Sequence, residues 1–274
     1  MPTKSPIVIF TDLDGTLLSE ETYEPGPARP VLERCRRNRI PVVFCSSKTA
    51  AEIIALRETL GNTDPFICEN GGAIYLPAGR FPGTGIPLKR EEGYEVIPIG
   101  TPISPLREAL HDAAMKTGAV VKGMGEMSLK EVGELTGLNE AEANLAMERR
   151  YDEPFLLVSG DPDALEREIR AAGHTMTRGG RFFHILGGSD KGKAVRILSE
   201  LYRKQTGRLL TAGLGDAEND LPMFRAVDRP FLVQKPGGHW VSLPRLANLT
   251  KIQGVGPEGW AKAVGSLLDE TGYE

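Results

Sequence analysis

Ile7-Val8-Ile9-Phe10-Thr11-Asp12-Leu13-Asp14-Gly15-Thr16 decides how this chain is read. Four apolar, mostly β-branched residues predict a strand buried on both faces. Two carboxylates follow, two residues apart. Side chains at i and i+2 of an extended segment lie on one side, so Asp12 and Asp14 are expected together at the strand's C-terminal end. Gly15 permits a tight exit. In open α/β sheets ligands bind outside the carboxyl ends of the strands. Two like charges there repel unless a cation or a shared proton compensates, and a divalent metal is the economical compensation. An ordinary Asp-Gly turn is the plain alternative, and three further segments argue against it.

Working outward, the chain alternates strands and helices. A helix is expected from about Val31 to Asn38, a strand over Ile40 to Cys45, a helix over Ala50 to Leu60, and a strand over Pro65 to Cys68. Glu69-Asn70-Gly71-Gly72 reads as a turn, and Ala73 to Leu76 as a hairpin arm. This rhythm predicts a parallel sheet with right-handed crossovers. From Pro77 to about Pro105 Gly and Pro become frequent, with a short strand signal at Tyr94 to Ile99. A helix over Pro105 to Thr117, candidate N-caps at Ser128 and Asn139, a strand over Glu153 to Ser159, a helix over Asp163 to Ala172 and a strand over Arg181 to Ile185 then form a separate unit. The βα rhythm resumes with a helix from Lys191 to Gln205, strands over Arg208 to Ala212 and Pro230 to Gln234, and a last helix from Gly259 to Asp269. The expected fold class is α/β: a Rossmann-like core with a parallel sheet, residues 1–84 and 187–274, carrying an inserted α+β domain over 85–186.

The bulk properties narrow the function. The 274 residues carry a net charge of −4, with 40% hydrophobic and 26% charged residues, as in a globular protein. An acidic balance speaks against nucleic acid as partner. No apolar run approaches the roughly 20 residues that span a bilayer, and the N-terminus carries no secretory signal, so no membrane partner is expected. The three cysteines, Cys35, Cys45 and Cys68, show no CxxC spacing and are expected as buried free thiols in a reducing cytoplasm.

Four sites fall at expected strand ends or a helix start: Asp12 with Asp14, Ser46, Lys191, and Asp216 with Asn219 and Asp220. A carboxylate pair, a hydroxyl, an ammonium and a second acidic group suit phosphoryl transfer. Magnesium binds through one or two carboxylates plus phosphate oxygens, a Lys neutralises the transferring group, and an Asp can form an aspartyl-phosphate. A dinucleotide site is excluded, because Gly213-Leu214-Gly215-Asp216 lacks the third glycine. No G-x-x-x-x-G-K-[ST] loop occurs.

The D-L-D-G-T segment at 12–16 resembles the first motif of the haloacid-dehalogenase-like phosphatases. Ser46 resembles the second, Asp190-Lys191-Gly192 the third, and G-D-A-E-N-D at 215–220 the fourth, with the insert resembling the large cap of one subclass. The resemblance implies that Asp12 attacks phosphorus and Asp14 serves as general acid and base. It implies that Ser46, in preference to Ser47, and Lys191 hold the phosphoryl group. Mg²⁺ would be ligated by Asp12, Asp216 and the backbone carbonyl of Asp14, with support from Asn219 and Asp220.

Further stretches resemble the mannosyl-3-phosphoglycerate phosphatase family: Ser46-Ser47-Lys48-Thr49, Glu69 to Tyr75, Arg149 to Phe155, and Gly179-Gly180-Arg181-Phe182-Phe183-His184. That resemblance implies hydrolysis of mannosyl-3-phosphoglycerate to mannosylglycerate, a compatible solute. Ser47, Lys48, Asn70, Gly71, Gly72, Arg150 and Arg181 are the substrate candidates, Arg because its fork suits a carboxylate. Rival readings are a phosphatase of glucosyl-3-phosphoglycerate, sucrose phosphate or trehalose phosphate, a phosphomutase, or a phosphoacceptor module without turnover.

Overall fold

In the computed structural model, which describes residues 5–83, 85–91, 93–179 and 181–274, the chain runs in order through β1 (Ile7–Thr11), α1 (Arg29–Arg37), β2 (Val42–Cys45), α2 (Ala50–Leu60), β3 (Phe66–Cys68), β4 (Ala73–Pro77), β5 (Lys89–Glu91), β6 (Tyr94–Pro98), α3 (Ile103–Thr117), β7 (Val120–Gly123), α4 (Leu129–Thr136), α5 (Glu140–Met147), β8 (Asp152–Ser159), α6 (Pro162–Ala171), β9 (Thr175–Gly179), β10 (Phe182–Leu186), α7 (Lys191–Thr206), β11 (Leu210–Gly215), α8 (Leu221–Phe224), β12 (Arg229–Gln234), β13 (Thr250–Val255) and α9 (Pro257–Glu270). Gly180, expected in a hairpin turn, lies outside the described residues.

The larger sheet has nine strands in the order β13-β12-β11-β1-β2-β3-β4-β6-β5. From β13 to β3 the pairing is parallel; β4, β6 and β5 extend it antiparallel. All five residues of β1 are buried. Ile7 and Ile9 face one core layer with residues of α1, α2 and α9, such as Cys35, Ile53 and Trp260. Val8 and Phe10 face the other layer with residues of α7 and α8, such as Leu198 and Phe224. A strand covered by helices on both faces has no polar side, which is why its sequence is continuously apolar. The chain steps outward from β1 through β2 to β3, and later returns on the other side of β1 as β11. The C-terminal end of β1 is therefore a topological switch point, where a crevice opens.

The second sheet, β7-β8-β10-β9, is antiparallel. Its core with α3 and α6 is built on Leu106, Phe155, Leu165 and Ile185. Ser128 and Asn139 each cap a helix, as expected: their side chains accept from Glu131 N and Glu142 N in reciprocal capping boxes.

One boundary is corrected. Residues 85–98 were expected in the insert, but β5 and β6 hydrogen-bond into the larger sheet. The two chain crossings meet where Thr101 N donates to Gly187 O at 2.7 Å. Among the described residues no helix is long and apolar enough to cross a membrane.

Candidate active site

Asp12 follows β1 directly, its N–H donating to Leu214 O of β11 at 2.9 Å. Asp216 follows β11 in the same way. Between them Gly15 turns with φ +74°; a Cβ there would stand 2.8 Å from Asp216 Oδ2 and 2.9 Å from Glu20 Oε1. The positive φ and the close approach together require glycine.

Lys191 is the first residue of α7, whose N-cap Asp190 accepts from Lys193 N. Its ammonium is fully buried and lies 2.6 Å from both Asp12 Oδ1 and Asp220 Oδ1. Burial favours the neutral amine, but Asp12 and Asp220 outweigh it and hold Lys191 charged. Asp220 spends its other oxygen on the backbone, accepting from Asp216 N at 3.0 Å and Ala217 N at 3.1 Å. Burial raises the Asp12 carboxyl well above the carboxylate range; Lys191 pulls it down, and Asp220 and Asp216 push it up. Asp216 rises to about 6, chiefly by burial and Asp220.

Ligand atoms of Asp12, Asp216 and Asp220 lie within 4.8 Å of one another. Three carboxylates face two ammonium groups, Lys191 and Lys235. The surplus negative charge and the hard oxygen donors fit a divalent cation. Asp14 is not in this side-chain group. It pairs with Lys48 at 3.1 Å, and its Oδ1 is buried without a partner. Burial disfavours the charged Lys48, but Asp14 and Glu52 raise its pKa overall.

One cavity of about 520 Å³ is walled on the core side by Asp12, Asp14, Ser47, Lys48, Asp216, Asn219 and Lys235, and on the insert side by Met124, Leu138, Arg149, Arg181, Phe182 and His184. Other expected site residues lie off the wall of this cavity. Ser46 is buried, its Oγ accepting from Lys48 N at 3.2 Å, and Ser47 lines the cavity instead. Arg150 turns away to Glu91 at 2.6 Å and Tyr75 Oη at 3.3 Å, and its neighbour Arg149 lines the cavity. Asn70 is buried, donating to Asp152 Oδ2 at 2.8 Å and accepting from Asn219 at 3.1 Å. Gly71, at φ +92°, abuts the Asp190 carbonyl, and a Cβ on Gly72 would stand 2.4 Å from Tyr151 Cβ. These glycines let elements approach; they do not face the cavity.

Lys235 escaped the sequence reading. It follows β12, which adjoins β11, and a lysine just past a core strand was the available signal. Glu69 also escaped it. Its Oε2 accepts from the N–H groups of Arg150, Tyr151 and Asp152 at 2.9, 2.7 and 3.0 Å, fastening the start of β8 to the core.

The model of haloacid dehalogenase-like hydrolases matches residues 9–81. A glucosyl-3-phosphoglycerate/mannosyl-3-phosphoglycerate phosphatase of Methanococcoides burtonii is 45% identical over 267 residues, covering 95% of this chain and 97% of that protein. The chain belongs to the mannosyl-3-phosphoglycerate phosphatase family of haloacid dehalogenase-like hydrolases. The mannosyl-3-phosphoglycerate phosphatase of Pyrococcus furiosus, another member, is 39% identical over 226 residues, 82% of this chain and 90% of that one. The fold is shared with the phosphatase BT1666 of Bacteroides thetaiotaomicron, with a TM-score of 0.67 at 16% identity, over all of this chain and 97% of that one. Membership makes this chain a phosphatase, and the family implies a divalent metal ion. Asp12, Asp216 and Asp220 are the group of described carboxylates that could hold one.

Proposed function

We propose that this chain hydrolyses glycosyl-3-phosphoglycerate, the mannosyl ester above all, releasing phosphate through an aspartyl-phosphate on Asp12. The observation that carries the reading is Asp12 at the base of the cavity, held by the buried Lys191 ammonium. Lys191 opposes the rise that burial gives the Asp12 carboxyl, a bound cation would oppose it further, and the ionised carboxylate would attack phosphorus. Asp14, two residues on and paired with Lys48, gives a proton to the leaving alcohol and then takes one from water. Mg²⁺ would sit on Asp12, Asp216 and the Asp14 carbonyl, neutralising the phosphoryl oxygens.

The unit around the second sheet serves as the cap, entered at Thr101 and left at Gly187, where the two crossings hydrogen-bond. Its wall, Met124, Leu138 and Phe182 beside Arg149, Arg181 and His184, would reduce the water that reaches the site. The choice of substrate rests on the names of the relatives; that of M. burtonii covers both the glucosyl and the mannosyl ester. The substrate is a small molecule, and three free buried cysteines accord with a reducing cytoplasm. Phosphate release with Mg²⁺ from both esters, beside sucrose 6-phosphate and trehalose 6-phosphate, tests the reading. Preference for a 3-phosphoglycerate ester supports it; preference for another sugar phosphate discards the substrate and keeps the chemistry.

A further inference from the structure

Tyr23 lines the cavity but has no task in the chemistry at Asp12. It lies between β1 and α1, and its backbone turns with φ +54°. That left-handed region suits Gly or Asn, and a bulky aromatic residue is strained there. The surrounding loop enforces the strain. Tyr23 N donates to Ser19 O at 2.9 Å, and Ser19 N donates to Glu24 O at 3.0 Å. Ser19 Oγ accepts from Glu21 N at 3.2 Å and from Thr22 N at 3.4 Å. Strained residues held in place by their surroundings gather at functional sites, and this one stands on the wall of a cavity.

A surface turn is the plain alternative. A turn needs only the backbone, which Gly or Asn would supply without strain, and it gives no reason for a ring beside the cavity. Tyr23 is 41% exposed, so the protein itself leaves much of it uncovered. Its position tells which part of an ester it meets. Lys48 Nζ lies 5.6 Å from the ring centroid and 3.1 Å from Asp14 Oδ2. The ring is therefore one side chain away from the group that serves the leaving alcohol. Both walls of the cavity act on its hydroxyl: burial and Asp14 raise its pKa, Lys48 and Arg181 lower it, and Glu142 raises it. The face of an aromatic ring carries negative charge, which repels a carboxylate and attracts the C–H groups of a pyranose. A tyrosine also offers a large rigid surface with little rotamer freedom to lose.

We propose that Tyr23 packs its ring against the glycosyl unit of the leaving group, so that the enzyme selects the glycosylated ester over 3-phosphoglycerate itself. This rests on the substrate reading above.

The test measures the affinities of mannosyl-3-phosphoglycerate and 3-phosphoglycerate by calorimetry with Mg²⁺. The protein is Asp12→Asn, which lacks the nucleophile, alone and combined with Tyr23→Phe or Tyr23→Asn. With Tyr23 in place the glycosylated ester is expected to bind more tightly. Tyr23→Asn accepts the left-handed backbone and removes the ring, and should cut that preference about tenfold with no loss of melting temperature. Tyr23→Phe keeps the ring and should keep the preference. A preference that survives Tyr23→Asn overturns the assignment and leaves the substrate reading intact. Equal affinities with Tyr23 in place, or no binding of either ester, overturn both.

Discussion

Lys235 Nζ lies 2.6 Å from Asp216 Oδ2, on one carboxylate of the acidic group proposed to hold the metal. The same ammonium is 3.7 Å from Glu20 Oε1. On that proposal lysine and metal would be rivals for one oxygen, and the lysine relieves the repulsion among the acids. Lys235→Met should bind Mg²⁺ roughly tenfold more tightly, about 1.4 kcal/mol, by calorimetric titration without substrate. The metal-free variant should also melt below wild type. Weaker metal binding would show that the lysine assists the metal.

Asp12 and Lys191 separate chemistry from stability. Asp12→Asn keeps the side-chain volume and removes the nucleophile. Phosphate release should fall by at least about 10⁴-fold, with no loss of melting temperature, because a carboxylate leaves a crowded acidic site. Lys191→Met leaves Asp12 and Asp220 buried without their shared cation, a cost of about 3–5 kcal/mol. Chemical denaturation of both variants checks the contrast.

What the sequence made legible depended on chain locality. Asp12 and Asp14 follow an apolar run directly, so strand and site are read from ten residues. Lys191 and Asp216 each sit at the edge of an expected element, where the topology gathers them. Lys235 needed the order of β12 beside β11, a long-range pairing. Arg149 and Arg150 are neighbours at a helix exit, where no periodicity tells which faces the cavity; only the tertiary partners Ser47 O and Glu91 decide. Asn70 reads as a turn residue, and it is one, with φ +53°; its burial comes from Asp152, 82 residues away. β5 is three polar residues, Lys89–Glu91, with no apolar pattern to assign it to a sheet.

Glu69 links the core–insert junction to pH. Burial raises its carboxyl to about 7, although Arg149 and the N–H groups of Tyr151 and Arg150 oppose the rise. A raised carboxyl means the folded state holds the proton more tightly. Its stabilising contribution is complete below the unfolded value near 4.5 and is lost as pH climbs through about 7. Glu69→Gln keeps a carbonyl acceptor for the three N–H groups and cannot titrate. Between pH 5 and 8 the wild type should lose roughly 2–3 kcal/mol more stability than this variant. Equal losses in urea titrations at the two pH values would place the charge of Glu69 outside the native balance.

The most direct test of the central claim is phosphate release from mannosyl-3-phosphoglycerate by the purified chain with Mg²⁺, run beside Asp12→Asn. Mg²⁺-dependent release by the wild type, lost in the variant, is expected. Equal release by the two proteins would contradict Asp12 as the nucleophile, and no release from any phosphomonoester would contradict the enzyme.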